Sequence, residues 1–128
     1  MSRILVVEDD PGVRMTIVDW LDAAGYQAVA AQDAASGLKA FEQADPRPIA
    51  ALLDIKLPGE NGFWLCDQLK ERFGFERVIF ITAFFWEEET RLELAERGNP
   101  YFEKPLKFQE QVLPFLEQYL AQDNEGER

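Results

Sequence analysis

The chain, 128 residues long, contains no histidine. Histidine-based acid–base or nucleophilic chemistry is therefore excluded, and with it any zinc site that depends on imidazole. The one cysteine, Cys66, cannot close an internal disulfide, which suits a reducing compartment. No apolar run approaches the roughly 20 residues that a membrane-spanning helix needs. The first residues lead straight into a strand-like segment without the layout of a signal peptide, so a cytoplasmic protein is expected. Positive charge is also scarce: 13 lysines and arginines against 24 acidic residues leave a net charge of −11. Such a surface repels nucleic acid and anionic lipid, so direct binding to either is not expected. Internal repeats and low-complexity segments are missing too. Any metal chemistry must use oxygen ligands, which points to Mg²⁺, Ca²⁺ or Mn²⁺.

What is present is the ordinary hydrophobic share of a globular protein, 47%. It suffices for one domain, read here as residues 1–121, followed by a polar segment, 122–128, that is a tail or the start of a linker. Short apolar runs alternate with longer helix-period patterns. Ile4 to Val7 is a continuous apolar run, as expected of a strand covered on both faces. Pro11 then suits a first helical turn, with Val13, Ile17, Trp20, Leu21 and Ala24 on one helical face. Ala28 to Ala31 is a weak second strand, and Asp33 is a candidate N-cap for a helix that turns Leu38 and Phe41 inward. Ile49 to Leu53 forms the third strand, stopped by Asp54 and the turn residues Pro58, Gly59 and Gly62. Phe63, Leu65, Cys66 and Leu69 mark a third helix. Val78 to Ile81 is the strongest strand signal, and Glu87 to Arg97 a charged helix ended by Gly98. Tyr101 and Phe102 open a short fifth strand. A last helix then buries Phe108, Val112, Phe115, Leu116, Tyr119 and Leu120, with Pro114 kinking it or delaying its start.

Five strands alternating with five helices predict an α/β fold: a doubly wound, five-stranded parallel sheet with helices on both faces. In such sheets a ligand site lies beyond the carboxyl ends of the strands. The first strand ends in Glu8, Asp9 and Asp10, the third in Asp54, the fourth in Thr82, and Lys104 follows the fifth. Singly these mean little, since an acidic run after a strand is commonly a solvated turn. Together they converge on one mouth of one sheet. Glu8, Asp9 and Asp54 would crowd a small pocket, and Lys104 offsets only part of their repulsion, so a divalent cation is called for. A metal, a lysine and a hydroxyl around an aspartate can stabilise a phosphoryl group while that aspartate attacks phosphorus. Asp54 is the central nucleophile candidate, Lys104 would pair with one phosphoryl oxygen, and Thr82 would hydrogen-bond another.

The segments VVEDDP, LLDIKLPGENG, FITA and YFEKP, in this order and spacing, resemble the receiver domain of two-component response regulators over about residues 3 to 121. The resemblance implies the flavodoxin-like strand order 2-1-3-4-5 and phosphorylation of Asp54 by a histidine kinase or histidine phosphotransfer protein. It implies Mg²⁺ as cofactor, held directly by Asp9 and Asp54, by Glu8 through water, and by the backbone carbonyl of Lys56. Thr82 and Lys104 would contact the phosphoryl group, and Tyr101 matches the aromatic switch position. Lys56 and Phe84 would flank the approach of the hydrolytic water and so tune the lifetime of the phosphorylated form. The chain would then be a signalling switch for a downstream protein or linked output domain. Catalysis would be limited to its own phosphorylation and dephosphorylation. A phosphorylation-independent interaction module is the alternative; it would be marked by loss of these residues, all of which are present.

A flavodoxin would carry a Ser/Thr/Gly-rich phosphate loop where Glu8-Asp9-Asp10-Pro11 stands. A haloacid-dehalogenase-type phosphatase would need an acid two residues beyond the nucleophile, where Lys56 stands. The chain departs from the resemblance between Gly98 and Tyr101, where Asn99 and Pro100 replace a longer link that commonly ends in paired aspartates. The charge-dependent symmetric dimer of DNA-binding members is accordingly not expected, and a monomer or weak dimer is. Phe84-Phe85-Trp86 is unusually aromatic for the loop after Thr82 and reads either as packing under the fourth helix or as an exposed docking patch. Trp20 and Trp64 read as packing residues and Cys66 as a small buried apolar one.

Overall fold

A computed structural model describes residues 2–83 and 87–126, with side chains as far as residue 121. The apolar runs form five strands: β1 (Arg3–Val7), β2 (Gln27–Ala31), β3 (Ala50–Asp54), β4 (Val78–Thr82) and β5 (Tyr101–Glu103). They pair in parallel, in the order β2-β1-β3-β4-β5. Between them run α1 (Pro11–Ala23), α2 (Ala34–Gln43), α3 (Gly62–Phe73) and α4 (Glu88–Arg97), and α5 (Leu113–Gly126) follows β5. Ile49 stands ahead of β3 and is partly exposed, while Asp54 is the last residue of that strand rather than the residue that stops it.

Alternation along each central strand divides the core in two. Leu5, Val7, Leu53 and Phe80 face one layer with Leu38, Phe41, Leu65 and Leu69 of α2 and α3. Ile4, Val6, Leu52, Ile79 and Ile81 face the other, against Ile17 and Leu21 of α1 and Leu116 of α5. Every residue of β3 and β4 is buried, which explains why both read as unbroken apolar runs. Trp20 stacks on Phe108 at 5.2 Å, and Trp64 and Cys66 belong to the α2–α3 layer, as expected of packing residues.

Helix ends follow the chemistry of their caps. Asp33 accepts from the Ser36 amide at 2.7 Å, as the sequence predicts. Asn61 does the same for Trp64. Gly74 and Gly98 close α3 and α4 in the left-handed region, at φ 66° and 75°. Before α5 the chain makes one π-helical turn, Phe108–Val112, and Pro114 then falls in the first turn of α5, where a missing N–H costs least. The start of α5 is thereby delayed.

Candidate functional site

All five strands point their carboxyl ends at one edge, and the chain's acidic strand ends meet there. Asp54 closes β3 and is only 4% exposed, while Glu8, one residue beyond β1, is fully buried. Carboxylate oxygens of Glu8, Asp9 and Asp54 lie within 4.8 Å of one another. Asp9 is exposed, at the mouth. The Lys104 ammonium reaches into this cluster from beyond β5, 2.7 Å from Asp54 Oδ2, and also faces Glu8 Oε1. One cation thus stands among three carboxylates.

The charge balance shows in the titration of Glu8, Asp9 and Lys104. Burial pushes the Glu8 carboxyl above its usual range; Lys104 opposes this, but the charge of Asp54 adds to it. Partial desolvation and then the neighbouring Glu8 raise Asp9. Burial works to lower Lys104, yet its bonds to Asp54 and Glu8 outweigh that and raise it. Among the described residues Glu8 Oε1 is the buried side-chain oxygen with no well-directed hydrogen bond, so its contact with Lys104 is a charge contact. An all-oxygen, net-negative pocket with a buried acceptor still lacking a directed partner fits a hard divalent cation.

The third acid of the run serves differently. Asp10 is the N-cap of α1, its Oδ1 accepting from the amides of Gly12 at 2.8 Å and Val13 at 3.1 Å, which turns it away from the cluster. An aspartate directly before a proline at the first helical position is the signal for this. Thr82 ends β4 fully buried. The β3–β4 register pairs Asp54 with Ile81, which sets Thr82 one residue past the nucleophile candidate's neighbour. The Thr82 carbonyl accepts from the Lys104 amide at 2.8 Å, tying the two residues together through the backbone.

The remaining candidates lie around this centre. Lys56 follows β3 by two residues, and its ammonium pairs with Glu87, at the cap of α4, at 3.4 Å. Tyr101 opens β5 opposite Phe80 and is 39% exposed. Phe84, with Phe85 and Trp86, lies outside the described residues. Two contributors were not singled out in the sequence. Gly62, read there as a turn residue, is the first residue of α3, and a Cβ on it would stand 2.2 Å from the Asp54 carbonyl oxygen. Arg14 of α1 donates to the Glu8 carbonyl oxygen at 2.8 Å.

A parallel sheet whose acidic strand ends enclose a buried aspartate and a lysine defines the class, and sequence comparison agrees with it. The model of the response regulator receiver domain matches residues 4–113, and the chain belongs to that family, the receiver domains of two-component systems. It is 32% identical over 108 residues to the transcriptional regulatory protein YxdJ of Bacillus subtilis, a match covering 84% of this chain and 46% of that protein. Against the transcriptional regulatory protein BaeR of Escherichia coli it is 34% identical over 110 residues, covering 86% and 45%. The chain therefore spans about half the length of these curated relatives. Among solved structures, a CheY-like receiver domain protein from Methanospirillum hungatei superposes with a TM-score of 0.83 at 26% identity, covering 98% of both chains. The response regulator TrrA of Thermotoga maritima, solved in complex with Mg²⁺-BeF, gives 0.79 at 25% identity, covering 93% of this chain and 99% of that one. Among the described residues no helix is long and apolar enough to cross a membrane.

Proposed function

We propose that this receiver accepts a phosphoryl group on Asp54 from a histidine kinase or histidine phosphotransfer protein. The observation that carries the reading is the buried Asp54 carboxylate, held 2.7 Å from Lys104, with carboxylate oxygens of Glu8 and Asp9 within 4.8 Å. Asp9, Asp54 and the Lys56 carbonyl would hold Mg²⁺ directly, and Glu8 through water. Bound there, Mg²⁺ supplies positive charge to the phosphoryl oxygens as the transfer proceeds. An Asp54 oxygen attacks phosphorus while the bond to the donor's histidine nitrogen breaks. Lys104 then exchanges its Asp54 contact for a phosphoryl oxygen, and the buried Thr82 hydroxyl donates to another. Because the Lys104 amide hangs on the Thr82 carbonyl, both movements pull on the start of the chain beyond β5, and Tyr101 reports them at the partner-binding face. Lys56 and Phe84 set how long the phosphorylated form lasts.

The receiver unit is residues 1–121, with 122–128 a polar tail or the start of a linker. Its partners are the phosphodonor and a downstream protein or linked output domain. It works in the cytoplasm as a monomer or weak dimer, without touching nucleic acid itself, and catalyses only its own phosphorylation and dephosphorylation. The test is intact mass after exposure to acetyl phosphate and Mg²⁺. Wild type should gain one phosphoryl group and Asp54→Asn none; equal gain in both would remove Asp54 as the acceptor.

A further inference from the structure

We infer that Arg14 is a positioning residue for the divalent cation, a role that rests on the reading of the acidic cluster given above. Arg14 lies in the first turn of α1, where its amide bonds the Asp10 carbonyl at 2.9 Å. Its Nη1 reaches back to the carbonyl oxygen of Glu8 at 2.8 Å. That carbonyl belongs to the peptide joining Glu8 to Asp9, so the bond fixes the plane of the unit between two proposed ligands. The flanking groups are anchored separately. The Glu8 amide donates to Ala31, the Asp10 amide to Glu8 Oε2, and Asp10 Oδ1 caps α1. Asp9 itself is exposed, so packing does not aim its carboxylate; the backbone does. Rotation of the Glu8–Asp9 peptide would swing Asp9 away from Asp54, and Arg14 opposes that rotation. Groups that orient metal ligands from behind commonly matter tenfold or more in affinity.

The charge of Arg14 argues in the opposite direction, which makes the inference testable by sign. A guanidinium near a cation site repels the cation. If Arg14 acts only through its charge, Arg14→Gln should bind Mg²⁺ more tightly; if it positions the peptide, more weakly. Calorimetric titration of the metal-freed 128-residue chain with MgCl₂ at low ionic strength reads this directly. Roughly tenfold weaker binding by Arg14→Gln is expected. Arg14→Lys, which keeps the charge but not the planar fork, should fall between. Affinity equal to or tighter than wild type in Arg14→Gln overturns the inference. Should that variant not fold, as judged by metal-free melting, Arg14→Lys decides alone: wild-type affinity overturns the inference and weaker binding supports it. Wild type that takes up no Mg²⁺ at all overturns the reading of the cluster itself.

Discussion

At the scale of single residues, the cluster places two opposing demands on Glu8. Its carboxylate is buried and raised in pKa by desolvation and by Asp54, so its ionised form is a liability without a cation. A carboxyl raised on folding contributes stability that is complete below its unfolded value, roughly 4.3, and lost as pH rises through the folded value. Asp9, raised as well, acts in the same window and direction. The metal-free protein should therefore lose stability as pH climbs from about 4 toward neutrality at this site. Glu8→Gln removes the burden while Lys104 keeps Asp54 as its partner, so no buried charge is stranded. At neutral pH without metal the variant should melt a few degrees higher, on the order of 1 kcal/mol, and the gain should vanish near pH 4. Calorimetric melts across that range check it; a lower melting temperature at neutral pH would mean that the contact with Lys104 outweighs burial.

At the scale of elements, what could be read from the sequence divides along a physical line. The central strands β1, β3 and β4 were legible because burial on both faces makes them unbroken apolar runs, whereas β2 and β5, partly exposed at the sheet edges, gave weaker signals. The place where the candidate residues gather was legible because a parallel sheet sends its strand ends to one edge. Asp54, Thr82, Lys104 and Glu8 needed only their order along the chain. Residues whose role depends on the approach of two backbones were not legible. Gly62 looked like a turn glycine, yet it lets α3 begin against the Asp54 carbonyl. Arg97 looked like one charge of a charged helix. In the fold it forks onto Asp67 of α3 at 2.9 and 3.0 Å, bonds Glu93 at 2.7 Å and covers the Phe63 ring, joining α4 to α3. Asp10 was hidden by its neighbours, since a cap and a ligand share one side-chain chemistry. Gly62 supplies the prediction here. Gly62→Ala would set a methyl group 2.2 Å from a backbone oxygen, so α3 or the end of β3 must move. A loss of about 2 kcal/mol is expected by urea unfolding, within the range for overpacking. An alanine tolerated at no cost would mean that the two elements separate freely.

At the scale of the whole molecule, a net charge of −11 on 128 residues repels itself, and the acidic pocket lies within that field. Two kinds of cation should relieve it in distinguishable ways. Monovalent salt screens exposed charges throughout the molecule, with a Debye length of about 10 Å at 0.1 M, so stability should rise gradually with NaCl. Mg²⁺ held at the cluster acts by occupancy instead and adds RT ln(1 + [Mg²⁺]/Kd), about 1.4 kcal/mol at ten times Kd. That is a shift of several degrees at ionic strengths where NaCl does little. High NaCl should also weaken Mg²⁺ binding, because it screens the field that draws the cation in. Asp54→Asn separates the two effects. It removes one of the three clustered carboxylates but leaves most of the surface charge unchanged, so it should keep nearly all the response to NaCl and lose most of the response to Mg²⁺. Melting curves at fixed pH, with MgCl₂ and NaCl matched in ionic strength, make the comparison. Equal shifts from the two salts in wild type, or an undiminished Mg²⁺ shift in Asp54→Asn, would show the divalent cation acting on the surface as a whole and not at the ends of β1 and β3.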